Sequence, residues 1–227
     1  MNKYKVIILS LLISFMGASC EDWLYDNVNE DAAHEVLPQQ VLPVVLFYSA
    51  QLQFDHAEYG AYLTQTLTTG GRNQTSSFAY KSGWGDFLTM NRHPQWRRHF
   101  YDIGVNAKEI IDEAHEAQAW NLELIGRTLR LMSTQMTTDL FGDMPRSEAY
   151  ESNSPHYDTQ ESIYEWMNQE IEELIGMYED PTYTEAATNI PIDQSIDRVF
   201  AGDLNKWKHY TYALKARLLL RKLPNWE

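Results

Sequence analysis

Residues 159–178, TQESIYEWMNQEIEELIGMY, decide the fold. Ile163, Trp166, Met167, Ile171, Leu174, Ile175 and Tyr178 recur at steps of three and four, which places them on one face of an α-helix. Glu170, Glu172 and Glu173 lie on or beside the opposite face, where charges are expected to meet water. Asp158 and Glu161 have the spacing of a capping box at the helix start.

The same period extends outward in both directions. Residues 120–141 align Leu122, Ile125, Leu129, Met132, Met136 and Leu140, and residues 96–117 align Phe100, Ile103, Ala107, Ile110, Ile111 and Ala114. Trp96 continues that face with Phe100 and reads as core. A first helix over 39–68 carries Val41, Val45, Tyr48, Leu52 and Tyr59 and is broken by Gly70 and Gly71. Pro38 suits its first turn, whereas Pro43 predicts a kink or a later start. A last helix over 203–223 has Asp203 as its N-cap and turns Leu204, Trp207, Thr211, Leu214 and Leu218 inward. A short break near Ala119 folds 96–117 back on 120–141, while the long segment 179–201 joins the final pair. No run alternates as a strand would. The fold class is therefore all-α, stacked helical hairpins of tetratricopeptide-like layout, although no 34-residue consensus is legible.

The chain's ends add a location. Lys3 and Lys5, an apolar run from Val6 to Met16, and then Gly17, Ala18 and Ser19 form a secretory signal over residues 1–19. The apolar run is too short to cross a bilayer, which takes about 20 helical residues. Cys20 is the only cysteine, so it has no internal disulfide partner. Small residues followed by Cys20 resemble the bacterial lipoprotein box, with Gly17 standing where that box usually has leucine. Lipidation of Cys20 would then anchor the mature chain, and acidic, patternless residues 20–37 would tether it to a helical body over 38–227. The net charge of −14 excludes phosphate backbones as natural partners. It also assigns membrane attachment to the anchor and not to surface charge.

Several segments together resemble the SusD/RagB family of outer-membrane nutrient-binding lipoproteins. They are the start at Cys20, VNEDAAHEVLPQQVLPVV (28–45), MTTDLFGDMPRSEAY (136–150), YDTQESIYEWMNQEIEELI (157–175) and RVFAGDLNKWKHYTYALKARLLLRK (198–222). The most specific piece carries Asp139, Gly142, Asp143, Pro145, Glu148 and Ala149. Gly142 permits a left-handed helix exit and Pro145 prevents the helix from resuming, so the motif reads as structural. The resemblance covers nearly all of this chain and about half the usual family length. It implies a SusD-like helical scaffold without catalytic activity or cofactor. The implied role is to capture glycans or other nutrients at the outer membrane and pass them to a TonB-dependent, SusC-like transporter. Glu21 and Asp22 beside Cys20 match the surface-export signal of such lipoproteins.

A sugar presents flat C–H faces ringed by hydroxyls, which aromatic rings and polar side chains match. The loop GGRNQTSSFAYKSGWGDF (70–87) concentrates those types in Arg72, Asn73, Tyr80, Trp84 and Asp86, with Gly83 and Gly85 freeing the indole. Two stacking rings at about 1 kcal/mol each, with a few hydrogen bonds of similar worth, give roughly millimolar affinity. Enzyme and metal signatures are missing from the sequence. His93 and His99 stand six apart, off a common helix face, and His115 reads as a solvated helix end. Arg92, Arg97 and Arg98 read as balancing nearby acids. Two other readings are a helical scaffold for protein partners and a fragment of a surface hydrolase.

Overall fold

The structure, a computed structural model, describes residues 37–64, 66 and 94–222. The chain runs through α1 (Pro38–Leu63), α2 (Pro94–Arg97), a π-helical stretch (Arg98–Val105) and α3 (Asn106–Glu116). It continues through α4 (Trp120–Phe141), α5 (Gln160–Glu179), α6 (Pro181–Thr184) and α7 (Leu204–Lys222). Among the described residues there is no β-strand, and Met144 and Asp158 form one isolated antiparallel bridge. The signal, Cys20 and the tether up to residue 36 lie outside the described residues.

Helix α4 is the axis of the body. It packs against α1, α3, α5 and α7. Five of the six inward positions read from the sequence are buried, and Leu140 is half-buried, but the burial goes well beyond one stripe. Leu124, Thr128, Leu131, Ser133, Thr134 and Thr137 are buried as well. Hydroxyls survive there partly because the helix itself accepts from them: Thr128 Oγ1 donates to the Leu124 carbonyl at 2.8 Å and Thr134 Oγ1 to the Arg130 carbonyl at 2.9 Å. A polar letter on α4 therefore does not mark a wet face.

The helix ends correct several expectations. Helix α1 passes through Pro43, which forgoes only one hydrogen bond near the start. It stops at Leu63, short of Gly70. Thr66 Oγ1 donates to the Ala61 carbonyl at 2.9 Å and Thr64 Oγ1 to the Gly60 carbonyl at 2.8 Å, so hydroxyls take the last carbonyls. The single helix expected over 96–117 carries a π-helical stretch in its first half. The cap of α5 is Thr159, whose Oγ1 accepts from Ser162 N at 3.2 Å, not the Asp158–Glu161 box. Asp158 turns back to accept from Arg146 N at 2.8 Å and from Ser147 N at 2.9 Å. Gly142 ends α4 at φ 77°, as its place in the sequence implies. Asp203 caps α7, accepting from Asn205 N at 3.0 Å and Lys206 N at 3.1 Å.

The long 179–201 segment is pinned at two points. Asn121, on the first turn of α4, donates from Nδ2 to the Ile190 carbonyl at 2.6 Å, and its backbone N–H donates to Asn189 Oδ1 at 3.0 Å. Fully buried Asp197 accepts from Val199 N, Phe200 N, Gly202 N and Trp207 Nε1, at 2.8–3.0 Å. Its carboxylate thus replaces water for four donors and seats Trp207 in the core.

Candidate functional site

Two arginines one turn apart on α4 meet opposite environments. Arg127 reaches α5, where Nε donates to Glu170 Oε1 at 2.8 Å and Nη2 to Glu170 Oε2 at 3.1 Å. Glu173 at 2.9 Å and Glu123 at 3.4 Å complete the cluster. Burial pulls the guanidinium down, but the hydrogen bonds and charge of Glu170, then of Glu173, outweigh it and hold Arg127 above its ordinary value. Glu170 is only 7% exposed, so the solvated position expected for it is corrected. Its place beside the apolar stripe turns it toward α4, where Arg127 waits.

Arg130 faces a cavity of about 250 Å³ bounded by the 145–151 turn, α3, α4 and α5. Trp166 of α5 forms a wall: the Arg146 guanidinium lies 4.9 Å from its ring centre and that of Arg130 5.9 Å. Among the described residues, neither guanidinium has a carboxylate oxygen within 4 Å, the distance that defines the other ion pairs here. Burial lowers the Arg130 guanidinium below its ordinary value. Arg146 Nε is buried with no acceptor, an arrangement that costs about 1–3 kcal/mol. Tyr150 is pushed up to about 12 by burial, against the pull of Arg130, so it stays a neutral phenol. Its hydroxyl rests on the backbone of Gly104, where any side chain would collide with it. His99 lines the cavity as a neutral ring, burial lowering it to about 3, with Nδ1 2.8 Å from Ser133 Oγ.

An aromatic groove of about 310 Å³ adjoins this cavity and shares Pro145, Ala149 and Tyr150 with it. Trp96, Phe100 and Tyr101 line it, and Tyr101 is 68% exposed. Trp96 is half-buried and packs on Phe100 at 4.7 Å and edge-on to Phe141 at 5.2 Å, so one face of the core Trp serves as the groove wall. Tyr157 stacks at 6.3 Å from it, tilted 21°. Exposed rings backed by packed ones offer a rigid, flat apolar surface bordered by polar groups.

A wider cleft of about 590 Å³ lies beside the end of α7, and its buried carboxylate, Asp139, is already matched. Asp139 accepts from the Tyr164 hydroxyl and from Arg217 Nη2 at 2.9 Å, with Arg221 at 3.6 Å. Arg98 likewise pairs with Asp55 at 2.5 Å and Arg97 lies 3.8 Å from Asp102, in line with arginines that balance acids. His115 is 3.1 Å from Glu123 Oε2 at its exposed helix end.

Arg72, Asn73, Tyr80, Trp84 and Asp86 lie outside the described residues, as does Cys20. Sequence reasoning missed Arg130, Arg146, Tyr150 and Tyr101, and it placed Trp166 in the core stripe. The available signal was Arg146 directly after Pro145, on the turn that brings it to α5. Among the described residues, no three His, Cys, Asp or Glu side chains are grouped to hold a metal, and no helix is long and apolar enough to cross a membrane.

The described body is an all-α stack of helical hairpins of tetratricopeptide-like layout. The sequence model of SusD-like proteins described as "Starch-binding associating with outer membrane" matches residues 39–223, and the chain belongs to that family. Among solved structures, it is similar to a SusD/RagB family protein from Bacteroides thetaiotaomicron, with 22% identity and a TM-score of 0.63. That match covers 82% of this chain and 38% of the other. A chitin-binding SusD homologue from Flavobacterium johnsoniae is also similar, at 22% identity and a TM-score of 0.48 over 56% of this chain and 26% of that one. No curated protein matches the chain.

Proposed function

We propose that the chain belongs to a lipid-anchored, non-catalytic glycan receptor of the outer membrane that hands its ligand to a TonB-dependent transporter. The match to the starch-binding, outer-membrane-associated family over residues 39–223 carries this reading. The aromatic groove of Trp96, Phe100 and Tyr101 supplies a surface of the right chemistry. The 70–87 loop, with Arg72, Asn73, Tyr80, Trp84 and Asp86, is the second proposed contact region, and Cys20 the proposed lipid site. Weak capture is adequate for a receptor held beside its transporter, because tethering raises the effective concentration.

Affinity gels cast with starch or chitin oligosaccharides test the binding step. The full chain is expected to be retarded in at least one gel, and Tyr101→Ala and Trp84→Ala distinguish groove from loop. Unretarded migration in every gel would remove the glycan reading. Mass spectrometry of the protein isolated from membranes tests the anchor: an acylated Cys20 is expected, and a bare thiol would overturn it.

A further inference from the structure

We propose that the Arg130–Arg146 cavity receives the acidic substituent, carboxylate or sulfate, of a charged sugar residue. This rests on the glycan reading and narrows its ligand to acidic glycans. The Trp166 ring backs both guanidiniums, at 4.9 Å for Arg146 and 5.9 Å for Arg130. Stacking occupies a guanidinium's face and leaves its N–H edges, which form the fork that meets an oxyanion. Those edges have no carboxylate partner among the described residues, although the chain holds 32 acids against 18 bases.

Each nearby acid is otherwise engaged. Asp112 lies 2.5 Å and Glu151 3.6 Å from Lys108, at the cavity rim. Glu170 hydrogen-bonds to Arg127, although its charge and that of Asp112 also act on Arg130, and Asp158, whose charge also acts on Arg146, accepts from the backbone of Arg146 and Ser147 and from the Ser147 hydroxyl. At about 250 Å³ the cavity falls below the ~300–1,000 Å³ of ordinary ligand pockets, so it suits one charged residue and not a chain. Tyr150 and Pro145 line both the cavity and the groove. An oligosaccharide lying on the aromatic rings can therefore place one acidic residue between the arginines.

Calorimetric titration of the full chain at low salt with glucuronate, a sulfated glucose, glucose and inorganic sulfate tests the proposal. The two acidic sugars are expected to bind at least about tenfold more tightly than glucose, and their ranking tells carboxylate from sulfate. Arg130→Gln and Arg146→Gln should each remove that advantage while circular dichroism reports an unchanged fold, and Arg130→Lys should retain part of it. Equal binding of acidic and neutral sugars, or acidic-sugar binding indifferent to both substitutions, would overturn the inference and leave the glycan reading standing. Arginine-dependent binding of inorganic sulfate alone would overturn it too, because the cavity would then be a plain anion site. Failure of every sugar, neutral oligosaccharides included, would count against the glycan reading itself.

Discussion

Arg127 and Arg130 sit one turn apart on the same helix, and their surroundings could hardly differ more. The first is gripped by Glu170 through two hydrogen bonds and touched by Glu173 and Glu123. The second lies against Trp166 with no carboxylate oxygen within 4 Å, although the charges of Glu170 and Asp112 act on it from farther off. A charge whose partners come from the neighbouring helix is a clamp. A charge left facing a cavity is a donor set for something outside the fold. The contrast teaches that partners, and not residue type or burial alone, separate structural cations from binding ones.

The clamp should break with the largest effect. Glu170→Ala leaves Arg127 buried with only the more exposed Glu173 and the longer Glu123 contact, and should destabilise the fold by about 3 kcal/mol in chemical denaturation. Arg130→Gln, by contrast, should change stability by less than about 1 kcal/mol or raise it, because it removes a half-buried charge with no carboxylate within 4 Å. Reversal of that order would erase the distinction between the two arginines.

Comparable in size is the neutral histidine beneath the cavity. His99 is lowered from 6.5 to about 3, so the folded state refuses a proton that the unfolded chain accepts. Its contribution is fully present above pH 6.5 and is lost as pH falls toward 3, at about 1.4 kcal/mol per pH unit. His56 is lowered by burial first and adds a slope of the same sign. Denaturation midpoints measured between pH 7 and 4 should fall in the parent and fall less steeply in His99→Asn. Parallel slopes would show that His99 is accessible to protons.

Gly104→Ala sharpens the comparison from the cavity side. The added methyl would meet the Tyr150 hydroxyl and lie 2.6 Å from the His99 carbonyl oxygen. Overpacking of this kind costs about 1–3 kcal/mol, and displacement of Tyr150 should weaken any ligand spanning cavity and groove. A similarly small effect is expected for Thr159→Ala, which removes the α5 cap and should cost about 1 kcal/mol in thermal denaturation. Asp158→Ala, which the sequence alone would rank as the cap mutation, should instead loosen the 146–147 turn.

Helix α5 was legible because its apolar residues form one stripe and its boundaries carry cap and turn residues. Helix α4 was legible as a helix but not as the buried axis. Thr128 and Thr134 look like surface residues in a sequence, yet their hydroxyls bond to carbonyls one turn back. Glu170 was misplaced for the opposite reason: its counterpart lies 43 positions away, and nothing local announces it. Capping by Thr159 rather than Asp158 was a one-residue choice settled by a tertiary demand, the two backbone donors at 146 and 147. The cavity was illegible because Arg130, Arg146 and Trp166 meet only after α4, the turn and α5 pack. The loop chosen from composition, Arg72 to Asp86, lies outside the described residues.

Calorimetric titration of the full chain and of Tyr101→Ala with starch- and chitin-derived oligosaccharides tests the central claim most directly. The account predicts saturable, roughly millimolar binding of at least one oligosaccharide, weakened several-fold by loss of the exposed Tyr101 ring with the fold intact. No heat with any oligosaccharide would contradict it.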